Sequence, residues 1–251
     1  MKNVMSCCLV MGILAMLAGC GKKAGLEGMV VDGLGLPMPN VRVVAMPEEP
    51  QEGCGQFAMV TDESGRYHFD ELCPLSRYIL VPQVEHMVTK AILTVTTSAK
   101  GETLALADLM IRFLLRADGI VTDTKTGLQW VAGPDRGTTW DEADIRARTL
   151  SLDGGGWRMP SMEELRGLYK KGAGLHGIYN ITPLIKTTGF FVWSGDITHG
   201  GTSVKCFNFH DPDKKFKGKA MFGNWIPRTL VNDSNKTMHR GFAVRLKPQS
   251  P

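Results

Sequence analysis

The sequence predicts two folded modules in series, an all-β sandwich over residues 26–116 and an α+β module over residues 117–251. Three observations predict this. Between Gly28 and Val81, short apolar runs alternate with clusters of Gly, Pro, Asn and Asp, the punctuation of an all-β segment. Beyond residue 117 the pattern changes, and two Ser/Thr-x-x-Glu strings each introduce a stretch of helical spacing among strand-like runs. Charge divides at the same place: residues 21–116 carry 9 Lys+Arg against 12 Asp+Glu, net −3, while residues 117–251 carry 19 against 13, net +6. With its first segment set aside, the 251-residue chain is long for one core and comfortable for two.

That first segment has its own logic. Lys2 precedes an apolar run from Val4 to Ala18, too short for the roughly 20 residues of a spanning helix. It ends in Leu17-Ala18-Gly19-Cys20. This string resembles a bacterial lipoprotein signal, which implies removal of residues 1–19, acylation of Cys20 and a lipidated tether over 20–25; the alternative is an ordinary secretory signal cut nearby. In that class of protein, Asp after the modified cysteine favours inner-membrane retention; Gly21 here implies the outer membrane, on its periplasmic or surface face. Several acyl chains, each contributing about 0.8 kcal/mol per buried CH2, make a durable anchor. Export also sets the redox compartment. Cys7 and Cys8 leave with the leader and Cys20 is the anchor, so Cys54, Cys73 and Cys206 remain.

The first module reads strand by strand. GMVV is followed by a turn from Asp32-Gly33 through Pro37-Met38-Pro39-Asn40, then VRVVA, where Val41, Val43 and Ala45 alternate with Arg42 and Val44. Next comes TDESG, then RYHF with Tyr67 and Phe69 on one face and His68 on the other. If Thr61–Arg66 is a hairpin with a four-residue connection, paired residue numbers sum to 127, and Cys54 and Cys73 share that sum. Directly opposed residues lie about 4.5–5.5 Å apart, within reach of a disulfide, so Cys54–Cys73 is the expected bridge. The alternative is two unpaired thiols with a bulge shifting the register. AILTVTT at 91–97 reads as strand; TLALADLMIRFLLR at 103–116 reads as strand or short helix, and a sandwich core that needs covering favours strand. His68 and His86 are lone, and no catalytic constellation assembles here.

Gly28, Val30, Asp32, Gly35, Pro37, Pro39, Val41 and Val43, continuing through Thr61-Asp62, Gly65, Tyr67, Phe69, Leu72, Pro74 and Tyr78, form a pattern. It resembles the carboxypeptidase regulatory-like, transthyretin-like β-sandwich family, over about fifty residues. The resemblance implies a spacer or interaction module.

The second module opens with Ile120-Val121-Thr122 and Leu128-Gln129-Trp130-Val131 flanking Asp123–Gly127, a β-hairpin. Thr139-Trp140-Asp141-Glu142 has capping-box spacing, so a helix should start at Trp140 and bury Trp140, Ala143, Ala147 and Leu150. In GGGWRMPSMEELRGLY, Pro160 disfavours helix at Met159, Ser161 caps, Glu164 completes a second box, and Leu165, Leu168 and Tyr169 make the buried stripe. Trp157-Arg158-Met159-Pro160 is then an extended arm leading into a helix. Core packing is the favoured role for Trp157, over ligand stacking, and a hydrogen-bonded brace is the favoured role for Arg158, over a polyanion contact. Runs at 190–196, 203–211 and 241–247 read as strands of an antiparallel sheet.

Val121-Thr122-Asp123, Thr126-Gly127-Leu128, Trp130, Thr139-Trp140, Glu142-Ala143, Trp157-Arg158-Met159-Pro160-Ser161, Glu164-Leu165 and Trp193-Ser194 together resemble the Lcl C-terminal domain family, named for a collagen-like bacterial adhesin. The resemblance implies a compact, C-type-lectin-like α+β domain on exported proteins, and its adhesin is linked to sulfated glycans. Relatives often carry a cysteine pair where this chain has Ala147 and Ala243, which implies that these two alanines are buried neighbours.

The binding candidates are Lys214, Lys215, Lys217 and Lys219 around Phe216, with Trp225 and Arg228 downstream: ammonium groups for sulfate or carboxylate, aromatic faces for a sugar ring. The plain alternative is a solvated basic hairpin. His210-Asp211-Pro212-Asp213 offers hard oxygen donors but no closing glutamate or second histidine, so a polar turn is expected and no metal. Cys206 lacks a catalytic spacing to His176, His199, His210 or His239, so a buried, structural thiol and no enzyme are expected. No cofactor is expected. The expected partners are the membrane through the lipid, and an anionic polysaccharide or an envelope protein; nucleic acid is not expected for an exported chain.

Overall fold

The computed structural model describes residues 23–174, 179–197, 200–210, 215–216, 219–220, 226–227 and 239–248. The described chain is mostly β-sheet, with two α-helices. None of its helices is long and apolar enough to cross a membrane.

The first half contains β1 (Ala24–Asp32), β2 (Arg42–Pro47), β3 (Phe57–Val60), β4 (Arg66–Leu72), β5 (Arg77–Gln83), β6 (Met87–Val88), β7 (Leu93–Thr96), β8 (Thr103–Ala105) and β9 (Leu109–Ile111). In one sheet β1 pairs antiparallel with β4 and parallel with β8 and β9; the other runs β3-β2-β5-β7. Alternation explains the core between them. Leu26, Val30, Tyr67, Phe69 and Ile111 from the first sheet meet Val43, Ala45, Tyr78 and Leu80 from the second. Val44, in the opposite phase of β2, is also buried.

The turn at Thr61–Arg66 departs from expectation. It is no hairpin, because β3 pairs with β2 and β4 pairs with β1, so the segment carries the chain from one sheet to the other. Local chemistry holds the crossing. The Asp62 carboxylate accepts from the Ser64 and Arg66 N–H groups at 2.9 and 2.8 Å, and the Thr61 hydroxyl donates to the Met38 carbonyl at 2.7 Å.

The second half follows with β10 (Phe113–Arg116), β11 (Val121–Asp123), β12 (Leu128–Ala132), α1 (Trp140–Thr149), α2 (Met162–Leu168), β13 (Phe191–Ile197), β14 (Ser203–Asn208), β15 (Lys215–Phe216), β16 (Lys219–Ala220), β17 (Ile226–Pro227), β18 (His239–Arg240) and β19 (Phe242–Leu246). Both helices start at their capping boxes: Thr139 with Glu142, and Ser161 with Glu164. Trp140, Ala143 and Ala147 are buried on α1, Leu165 and Leu168 on α2.

The strands at 190–196, 203–211 and 241–247 do not share one antiparallel sheet. β13 and β14 pair in the order β17-β14-β13-β18, with β18 parallel to β13, whereas β19 pairs with β12 in the order β19-β12-β11-β10-β6. Gly241 sits where the chain passes from one sheet to the other. It is the single residue between β18 and β19, and a Cβ there would lie 2.6 Å from the Ala143 Cβ, so only glycine lets the chain switch sheets against α1. Ala147 and Ala243 fall in one core with Trp140, Trp157, Trp193 and Cys206. A second core holds Trp130, Leu165, Leu168, Val192, Phe207 and Val244.

Strands cross the boundary expected at residue 117. β10 precedes residue 117 yet pairs with β11, and β6 extends that same sheet by pairing with β10.

Candidate functional site

The arm at residues 154–161 is built from the backbone outward. Gly154, Gly155 and Gly156 all have positive φ and deliver Trp157-Arg158 alongside β19, where the Arg158 N–H donates to the Val244 carbonyl at 3.0 Å and the Val244 N–H donates back at 2.8 Å. The Trp157 ring is buried, and its indole N–H donates to the Leu152 carbonyl at 2.8 Å. The Arg245 guanidinium lies over that ring, 4.4 Å from its centroid. Arg245 is itself saturated: it donates to Gln129 at 2.9 Å and to the Asp153 and Gly155 carbonyls at 2.7 Å each, and it pairs with the Asp153 carboxylate.

Arg158 is spent nearby. Its guanidinium meets both oxygens of Glu164, at 2.8 and 2.5 Å, and Glu164 also accepts from the Ser161 N–H at 2.8 Å while the Ser161 hydroxyl accepts from the Glu164 N–H at 3.1 Å. Burial alone would raise the Glu164 carboxyl, but the Arg158 and Ser161 hydrogen bonds outweigh it and hold it below its ordinary value. The same pairing raises Arg158. Pro160 closes the arm, its carbonyl accepting from the Gly195 N–H at 2.7 Å. Beside the arm lies a groove of about 580 Å³ lined by Asp153, Gly154–Gly156, Arg158, Arg245, Leu246 and Pro248. Both of its guanidiniums already face carboxylates, so it offers no uncompensated charge. Trp157, Arg158, Ser161 and Glu164 are thus held by internal contacts, and Arg158 is half exposed at the groove.

Two further indoles act alike. The Trp140 N–H donates to the Ser194 carbonyl at 2.8 Å, and the Trp193 N–H donates to the Thr138 carbonyl at 2.9 Å, fastening the start of α1 to β13. The Trp193 ring stacks on His239 at 4.1 Å. Sequence reasoning missed Arg245 and Asp153, and also Arg240, which is buried and donates to Asp135 at 2.8 Å. Each owes its role to a partner remote in the chain, and no local spacing signals it.

Cys54 and Cys73 are joined, with S–S 2.10 Å and Cα–Cα 5.6 Å. The bridge ties the approach to β3 to the end of β4, and so joins the two sheets. Cys20 lies outside the described residues. Cys206 is buried on β14, and desolvation pushes its thiol up to about 12, which leaves no thiolate for nucleophilic attack near neutral pH. Of the lysine cluster, Lys214, Lys217, Trp225 and Arg228 lie outside the described residues. Lys215, Phe216 and Lys219 belong to β15 and β16, which pair antiparallel with Phe216 opposite Lys219. The His210 ring packs on Phe190 at 4.9 Å, while Asp211 and Asp213 lie outside the described residues. Among the described residues, no group of three or more His, Cys, Asp or Glu side chains could hold a metal ion.

Residues 119–226 match the Lcl C-terminal domain family. No curated protein matches the chain. Among solved structures, a Pseudomonas aeruginosa protein provisionally described as carbohydrate-binding is similar at 12% identity, over 36% of this chain and 89% of its own, with a TM-score of 0.27. Catechol 1,2-dioxygenase from Acinetobacter, in a mercury-inhibited form, is similar at 13% identity, over 38% of this chain and 54% of its own, also with a TM-score of 0.27. At these TM-scores neither likeness bears on fold or function.

Proposed function

We propose that this is a lipid-anchored protein of the outer membrane, without enzymatic activity, whose C-type-lectin-like second half binds an anionic polysaccharide or glycan. The acylated Cys20 holds it to the membrane, and the carboxypeptidase regulatory-like sandwich sets the binding half away from the lipid surface. Supporting this reading, the Trp157-Arg158 arm is consumed by internal contacts, so recognition falls to surface cations elsewhere in a half of net charge +6. The observation that carries it is the β15–β16 register, which gathers Lys215, Phe216 and Lys219 on one two-stranded ribbon.

The test is retention on heparin-like resin. Wild-type protein should elute as salt rises, since screening shortens the Debye length from about 10 Å at 0.1 M to about 3 Å at 1 M. Changing Lys214, Lys215, Lys217 and Lys219 to Gln should move elution to clearly lower salt; undiminished retention rejects the ribbon as the site. A second reading, an envelope assembly component that binds a protein partner, is favoured by Met59 and Val60, which are exposed on the edge strand β3. A partner that stays bound through 1 M salt would support that alternative.

A further inference from the structure

Where the two halves meet, they border an open cleft of about 590 Å³, within the ordinary size range of ligand pockets (roughly 300–1,000 Å³). Four cationic side chains line it: Lys90 from the β6–β7 connection, Arg112 between β9 and β10, Lys125 in the β11–β12 turn and Lys170 just after α2. No Asp or Glu lines it.

The four cations are not equivalent. Arg112 is immobilised and neutralised: its guanidinium donates to both oxygens of the buried Asp123 at 3.0 and 2.8 Å and to the Gly167 carbonyl at 2.7 Å, and it lies 4.5 Å from the centre of the Phe113 ring. Lys90, Lys125 and Lys170 are exposed, and among the described residues none of them forms a salt bridge. Three uncompensated ammonium groups from three separate chain segments thus converge on one concavity. Their mutual repulsion opposes that arrangement, and an anion entering the cleft relieves it, because low-dielectric walls focus a field of a single sign. The rest of the lining is suited to a ring with apolar C–H faces and hydroxyls, with Phe113 and Leu184 beside Thr89 and Thr182.

We propose that this junction cleft binds a sulfated or carboxylated saccharide unit, contacted by both halves at once. The proposal rests on the anionic-glycan reading above and assigns it a second site, distinct from the β15–β16 ribbon. The recessed shape favours a saccharide over a lipid surface, since a flat headgroup layer cannot enter a cleft.

The experiment titrates a heparin-derived hexasaccharide, and separately glycerol phosphate as a soluble lipid-headgroup probe, into purified full-length protein in mild detergent. The cleft variant K90Q/K125Q/K170Q is compared with K23Q/K100Q/K247Q, which removes the same charge from exposed lysines outside the cleft. Hexasaccharide affinity should fall roughly tenfold in the cleft variant, the scale of three weak exposed ion pairs, and change by less than about twofold in the control. Equal losses in both variants, or none in the cleft variant while wild type binds, overturn the cleft and leave the anionic-glycan reading standing. A wild type that binds no hexasaccharide overturns both. Preference for glycerol phosphate overturns the saccharide assignment.

Discussion

At the scale of the residue, Glu164 carries two duties that substitution can separate. It closes the capping box of α2 and it neutralises Arg158. Glutamine keeps the first duty and loses the second, so E164Q should cost about 0.5–1 kcal/mol at neutral pH, an amount discounted because Arg158 is half exposed. E164A loses both and should cost about 1–2 kcal/mol, and S161A about 1 kcal/mol. Urea midpoints measure all three. The pH dependence has a definite sign. A carboxyl held below its ordinary value stabilises the fold above the unfolded value of about 4.3, and that contribution disappears as pH falls through the folded one. Wild type should therefore lose more stability than E164Q between pH 5 and pH 3; parallel curves would remove the ion pair from the account. The roles of Trp157, Arg158 and Glu164 were legible because they sit within a few residues of one another. Arg245, which covers Trp157, was illegible because only the pairing of β12 with β19 brings it opposite Gln129.

At the scale of the element, the Cys54–Cys73 bridge shows how a correct pairing can follow from a mistaken register. A short connection between strands serves a hairpin and a crossing between sheets equally well, and the turn chemistry of Thr61-Asp62-Glu63-Ser64-Gly65 is compatible with both. What the local pattern lacks is β1, which takes β4 as its neighbour and leaves β3 to β2. The cysteines nevertheless meet, since Cys54 approaches β3 and Cys73 leaves β4 at the same edge of the stacked sheets. The bridge therefore fastens sheet to sheet and closes a loop with a sequence separation of 19. C54S/C73S should lower stability by about 3 kcal/mol in the chain-entropy account, read from denaturant unfolding; a loss under about 1 kcal/mol would mean that the sandwich core alone holds the sheets. Helix starts were the most legible elements, because a capping box is local. Sheet membership was the least, as Gly241 illustrates: the need for glycine there appears only once Ala143 is packed against it.

At the scale of the whole molecule, the question is whether the halves behave as one body. β6 completes the sheet of the second half, and Asp123, almost fully buried, receives Arg112 from the link between the halves. The Gly33 N–H donates to the Thr124 hydroxyl oxygen at 2.7 Å. A Cβ at Gly33 would lie 2.7 Å from both the backbone nitrogen and the Cβ of Lys125, so the two turns touch main chain to side chain with no room for a methyl group. Such a seam couples unfolding, because separating the halves breaks a strand pair and leaves Asp123 with an uncompensated buried charge. Wild type should show one calorimetric transition, with van't Hoff and calorimetric enthalpies equal. Gly33→Val must push the Lys125 turn away and should split that transition in two, lowering the first midpoint. Two transitions in the wild type, unmoved by G33V, would mean that the seam is contact without coupling. The same variant bears on the cleft, since Gly33 and Lys125 both line it. If the halves must be held in register for Lys90 to face Lys125 and Lys170, then G33V should weaken hexasaccharide binding without changing a single charge, an outcome no reading based on net charge alone can produce.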